Sequence, residues 1–345
     1  MSVPVLIFIH GIGEHPPGWS GDAIGRLNER AADYSSMEGN GIVNLFHVVE
    51  ISYDAILLGL VKRWAEEVQG LKTNALYSHV EPALDWLDGS AHGDFVWTHI
   101  ADVILYMSSA IRNAVASAVA AVLGETIVEM GTANRSYNIL AHSMGTSVAA
   151  EAVTALATPQ PDPEGWPGLP SGFRFDNVFM LANTSRLLQR DSIKAYTSSR
   201  LLPASVQSSG LCVNYWNFAH RFDPIPAPRR FELTGPPVQG YMNFMLDHYY
   251  DTNLHALTHY LEHPLVHGAV FRAASRSHLP VGTWRAAIRR YQDKADKMIG
   301  GRFDRFTQVQ NYLDRLEQHP APNLLTAINF AEQIGWIVRR MREMQ

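Results

Sequence analysis

A short apolar run, Ser136 to Leu140, leads directly into Ala141-His142-Ser143-Met144-Gly145 and then into an Ala-rich stretch, Thr146 to Ala157. The first reads as a strand and the last as a helix, so the serine falls on the sharp turn between them. Such a turn lifts a hydroxyl above the sheet edge only where the residues two before and two after it clear the strand and the helix. Gly145 meets that demand, and Ala141, which stands where glycine is usual, is small enough to meet it too. A strand that feeds straight into a helix belongs to a layered α/β architecture.

The rest of the chain repeats the pattern. Val3 to Ile9 is an apolar, β-branched run ended by His10-Gly11-Ile12-Gly13 and reads as a buried strand. Ala23 to Asp33 reads as a helix, and Asn44 to Tyr53 as a second strand. From about Ile56 to Met130 the pattern is helical, interrupted near Asp88 to Asp94. Thr158 to Asp176 holds five prolines and reads as a loop, followed by strands at Asn177 to Ala182 and Val213 to Ala219. Strands alternating with helices predict a mostly parallel central sheet flanked by helices. Beyond Val281 the sequence turns helical and charged, with helices expected at Thr283 to Met298, Phe303 to Gln318 and Asn323 to Met344. The expected organisation is one domain over 1–280, carrying a helical insertion at about 56–130, and a C-terminal helical extension over 281–345 packed on it.

Composition narrows the function classes. Charged residues make up 18% of the 345, against about 25% in an average chain, and hydrophobic residues 46%, enough for a large core. A net charge of −5 and a pI near 6.3 argue against nucleic acid as a partner. One cysteine, Cys212, excludes a disulfide framework within the chain and a cysteine-based zinc site. The most membrane-like stretch, Val103 to Leu123, carries Arg112 and Asn113 near its middle and reads as a helix of a folded domain. With no targeting segment, stable membrane anchor or disulfide expected, the location expected is cytoplasmic. The oligomeric state stays open between a monomer and a homo-oligomer.

The elbow serine implies partners. Acyl transfer on a serine needs two backbone N–H groups aimed at the developing oxyanion, one from the residue after the nucleophile and one from a loop after an early strand. Met144 is the first, and Gly11 and Ile12 sit where the second belongs. The order serine, acid, histidine places the acid after Val213 to Ala219, at Asp223 in His220-Arg221-Phe222-Asp223-Pro224, with Asp247 and Asp251 in reserve. The base is expected in Asn253 to Pro264. His255 at a loop–helix junction is preferred, and His259, one turn inside the helix, is its rival. His255, His259, His263 and His267 are also spaced four apart, which on a continuous helix would suit a metal. Pro264 should break that helix, and no glutamate follows the first histidine as in His-Glu-x-x-His, so no metal ligands are assigned and no cofactor is expected.

Together, His10-Gly11-Ile12-Gly13-Glu14, Ala141 to Gly145, Phe222-Asp223-Pro224 and the His255 to Pro264 segment resemble the α/β-hydrolase superfamily, over roughly residues 1 to 275. The likeness is to its lipase/esterase-like serine hydrolases. It implies an α/β-hydrolase fold with a helical cap, and a triad of Ser143, Asp223 and His255 with Gly11, Ile12 and Met144 at the oxyanion. It also implies a small-molecule or lipid acyl ester, or an acyl thioester, as substrate. Ala141 and the crowded histidines depart from the pattern. Two other readings stand beside it: a non-catalytic binding or scaffold protein on the same fold, and a His-ligated metalloenzyme.

Overall fold

The computed structural model describes residues 2–11, 15–37, 39–56, 59, 106, 109–158, 169–188, 199–233, 238–247, 253–274 and 279–299. Six strands form one parallel sheet: β1 Val5–Ile9, β2 His47–Ile51, β3 Tyr137–His142, β4 Phe175–Leu181, β5 Cys212–His220 and β6 Tyr241–Leu246. Their order is β2-β1-β3-β4-β5-β6. Helices α1 Gly21–Ala31, α2 Ile42–Leu45, α3 Ser109–Met130, α4 Met144–Ala157, α5 Ser185–Leu188, α6 Leu257–Glu262, α7 Pro264–Ala274 and α8 Val281–Ile299 fill the connections.

A sheet covered on both faces needs strands that are apolar at every position, and β1, Val-Leu-Ile-Phe-Ile, is buried throughout. Alternate residues face opposite layers. Val5, Ile7, Ile9, Ile139 and Val178 pack with Val115, Val119, Leu123 and Ile127 of α3 and Val148 and Val153 of α4. Leu6, Phe8, Leu140, Phe179 and Phe218 pack with Ala23, Leu27 and Ala31 of α1, Tyr260 and Leu261 of α6, and Val266, Val270 and Phe271 of α7. Arg26 and Arg30 of α1 reach the buried Glu262 of α6 at 3.1 and 3.3 Å, tying the two helices together.

Asparagine amides fix the register. Asn177 Nδ2 donates to Asn138 Oδ1 (2.8 Å) and Asn138 Nδ2 to the Val5 carbonyl (3.0 Å), near the amino ends of the strands. Nearer the carboxyl ends, Asn183 donates to Asn217 (2.9 Å) and Asn217 to Asn243 (2.7 Å). Asn138 and Asn177 are paired in register, as are Asn217 and Asn243. A one-residue slip would turn these side chains to the opposite face and break the bonds.

The sequence reading and the structure differ in places. Strand β2 starts at His47, later than Asn44, because residues 42–45 form a helical turn whose Ile42 amide is held by Asn28 Oδ1 at 2.7 Å. Strand β6 was not expected. The helix expected at 283–298 is α8, and it packs on α7, with Trp284 Nε1 donating to the Pro264 carbonyl (2.5 Å). The helices expected at 303–318 and 323–344 lie outside the described residues, as does 60–105 of the insertion. Its described helix, α3, lies on the sheet in the core. Among the described residues one helix, 111–130, is long and apolar enough to cross a membrane, and half of it is buried inside the structure.

Candidate active site

In parallel sheets of this winding, ligands gather at the carboxyl ends of the strands where the chain switches direction across the sheet. Here that point lies between β1 and β3, and it is where His10-Gly11 and Ser143 emerge. Ser143 follows the last residue of β3 and begins the turn into α4 with φ 54° and ψ −128°, a backbone that costs a non-glycine residue about 1–3 kcal/mol. The surroundings hold it there. Its amide donates to the Leu181 carbonyl (2.9 Å). Its own carbonyl accepts from Thr146 Oγ1 (2.6 Å), the Thr146 amide (2.9 Å) and Thr184 Oγ1 (2.9 Å).

Two glycines make the turn possible. A β-carbon on Gly145 would run into the carbonyl oxygens of Ile9 and His10, and one on Gly11 would come within 2.9 Å of the Ser143 β-carbon. Ala141 is fully buried within β3, between Ile9 and Met180.

The serine hydroxyl lies 2.8 Å from His255 Nε2. His255 sits on the turn before α6, and its Nδ1 donates to Asp223, 2.9 Å from Oδ2 and 3.0 Å from Oδ1. Asp223 follows β5, is fully buried, and accepts two further hydrogen bonds: from the Tyr260 hydroxyl (2.7 Å) and from the Ile225 amide (3.1 Å). Burial alone would raise its carboxyl above the ordinary range, but the His255 ring, the Tyr260 hydroxyl and the Ile225 amide outweigh burial and hold it below. With Asp223 ionised, the Nδ1–H tautomer of His255 is favoured, and Nε2 is left as the acceptor that faces the serine.

Ser143, His255 and Asp223 thus meet, although they lie far apart in sequence. The rival base His259 is directed elsewhere, packing edge-on to His220 at 5.2 Å between ring centres. Of the reserve acids, Asp247 is half-exposed beside Arg221 (3.9 Å), and Asp251 lies outside the described residues. Met144 is the first residue of α4, so its amide has no carbonyl one turn back within the helix. Gly11 borders Ser143, and Ile12 lies outside the described residues.

The histidine ladder does not converge. The helix stops at His263 and restarts at Pro264, which sits at the first helical position, where proline is tolerated. His267 Nδ1 donates to the Leu261 carbonyl and its Nε2 accepts from Tyr34. One other set, His10, His15 and Asp54, brings ligand atoms within 4.8 Å of one another. A metal lies in the plane of each imidazole that binds it. The His10 and His15 rings are stacked at 4.0 Å and 18°, so their planes meet far beyond bonding reach of Asp54, and the set does not suit a metal as arranged. Instead it ties His15 to the end of β1. Its Nδ1 lies 3.3 Å from Asp54, and the His10 ring is sandwiched between His15 and Tyr53.

Two participants were absent from the sequence reading. Tyr260 lies in the segment searched for a base, and only the fold turns its hydroxyl toward Asp223. His142, inside the elbow itself, donates from Nε2 to the His255 carbonyl (2.7 Å).

Tyr260→Phe is expected to lower stability at pH 7 by about 1.5–3 kcal/mol, the worth of a hydrogen bond to a charged group. Because the folded state depresses the Asp223 pKa, its ionisation favours folding above the ordinary carboxylate range, and this contribution fades as the pH falls through the depressed value. The gap between wild type and variant should therefore narrow on acidification. It should not vanish, since the His220 amide, which donates to the same hydroxyl at 3.1 Å, also loses its partner. Urea midpoints at pH 7 and at about pH 2.5, below the ordinary carboxylate range, measure this; a gap that widens toward acid contradicts it.

Compared with family models, with curated proteins and with solved structures, the chain matches none.

Proposed function

We propose that this chain is a serine hydrolase of the α/β-hydrolase type, cleaving a carboxylic ester, an acyl thioester or a lipid ester through an acyl-enzyme on Ser143. One observation carries the reading: Ser143 Oγ, His255 and Asp223 form a continuous hydrogen-bonded chain, with links of 2.8 and 2.9 Å, at the switch point of a parallel sheet.

Ser143 Oγ attacks the acyl carbonyl while His255 Nε2 takes its proton. Asp223 fixes the ring and stabilises the imidazolium without taking the proton itself. The oxyanion is received by the Met144 amide and by the loop that starts at Gly11. His255 then gives its proton to the departing alkoxide or thiolate, leaving the acyl group on Ser143. Water, deprotonated by the same nitrogen, releases the carboxylic acid and restores the serine. The strained Ser143 backbone supports this reading, since such strain gathers where a side chain must be presented at a set angle.

The test is labelling by a fluorophosphonate probe. Wild type should be labelled stoichiometrically and Ser143→Ala not at all. Equal labelling of the two, or no labelling of well-folded wild type, would overturn the proposal.

A further inference from the structure

A general base works only if its ring stays in line with the nucleophile, and ring position depends on backbone as well as side chain. The His255 side chain is fixed by Asp223. Its backbone is fixed from the opposite side, by His142. The His142 Nε2–H donates to the His255 carbonyl at 2.7 Å, a bond that spans 113 positions of sequence. The two rings lie 5.1 Å apart.

His142 is well placed for this. It is the last residue of β3, paired with Leu181 of β4, and the next residue in the chain is Ser143. Nucleophile and anchor therefore share one rigid strand end. Burial, with His255 close by, lowers the His142 pKa to about 3. The ring is therefore neutral at ordinary pH, with Nε2 protonated and Nδ1 bare. The bare edge faces Gly11, where an added β-carbon would come within 3.3 Å of Nδ1.

Resting on the hydrolase reading above, we propose that His142 is a positioning residue that holds the His255 turn by its carbonyl and so keeps His255 Nε2 in line with Ser143 Oγ. Its action is through His255 and not on substrate.

Two variants separate this role from packing. Glutamine places an amide N–H near the position of Nε2, whereas methionine fills similar space without a donor. With a fluorophosphonate probe and a short-chain p-nitrophenyl ester, His142→Met should lower the maximal phosphonylation rate and kcat by about 10- to 100-fold, the cost of a small misplacement. Half-saturating concentrations should stay within about twofold, since substrate binding is untouched. His142→Gln should recover most of the rate. A second readout needs no turnover: the downfield proton of the His255–Asp223 hydrogen bond should be sharp in wild type and in the glutamine variant, and broadened in the methionine variant.

Wild-type rates in His142→Met, or a glutamine variant as slow as the methionine one, would overturn the proposal. If the methionine variant does not fold, the glutamine variant decides. A rate within about threefold of wild type supports the role, and a hundredfold loss in folded protein overturns it. Unlabelled wild type would defeat the hydrolase reading alone, and the proton resonance would still decide the role of His142.

Discussion

Under the proposed serine-hydrolase function, replacing His255 with alanine is expected to lower kcat for ester hydrolysis by about 10⁶-fold while leaving the fold intact. A triad acts as a unit, so loss of the base costs about as much as loss of all its members. The Ser143/His255 double alanine variant should therefore be no slower than either single one. What remains, about 10³–10⁴ over water, comes from oxyanion donors and binding. Asp223→Asn should cost about 10⁴, because an amide favours the wrong imidazole tautomer. His259→Ala is the control. Its ring packs against His220, and its loss should change kcat less than tenfold. Steady-state kinetics on a short-chain ester measures all of these variants, and a His259→Ala effect that matched His255→Ala would reassign the base.

Gly145→Ala should produce the largest loss of stability. In an exposed helix this change gains about 1 kcal/mol of propensity. Here the new methyl group meets the carbonyl oxygens of Ile9 and His10, which are backbone atoms at the end of the most buried strand. Neither can move without disturbing β1. Overpacking against side chains costs about 1–3 kcal/mol, and against fixed backbone the net loss should reach about 3–5 kcal/mol. Gly25 provides the contrast. It lies inside α1, with open space where its β-carbon would be, so Gly25→Ala should stabilise by about 0.5–1 kcal/mol. Chemical denaturation of the two variants should thus give shifts of opposite sign. Stabilisation by Gly145→Ala would mean that the elbow is not packed against β1.

What could be read from sequence follows from the range of the forces involved. Strand β1 and the runs Ile139 to Ala141 of β3 and Val178 to Leu181 of β4 were legible because burial on both faces leaves continuous apolar residues, and β5 was legible by its aromatic and β-branched residues although Val213 is exposed. The elbow was legible because its demand for small residues is local. Asp223 and His255 could be named because each follows a recognisable local signal, the end of a strand and a loop–helix junction. Edge strand β6 was not legible. Tyr-Met-Asn-Phe-Met-Leu is mostly half-exposed, and its Asn243 matters only through Asn217 on the neighbouring strand. Helical turn α2 escaped for a similar reason, since its first amide is held by Asn28 from another helix. Tyr260 and His142 were visible as residues but not as participants. Their partners, Asp223 and His255, lie 37 and 113 positions away, and no local periodicity records such a pairing.

The place of β1 in the sheet has a consequence for synthesis. It leaves the ribosome well before β3, yet its position is between β2 and β3, and Val5 finds its second neighbour only once Tyr137 has been made. At about 5–20 residues per second, that leaves the most apolar segment of the nascent chain half-paired for on the order of ten seconds. An unpaired apolar run of this kind is prone to aggregate, so hindering chaperone binding to Val5 to Ile9 during that interval should send more of the newly made chain into aggregates before the turn at Ser143 could form.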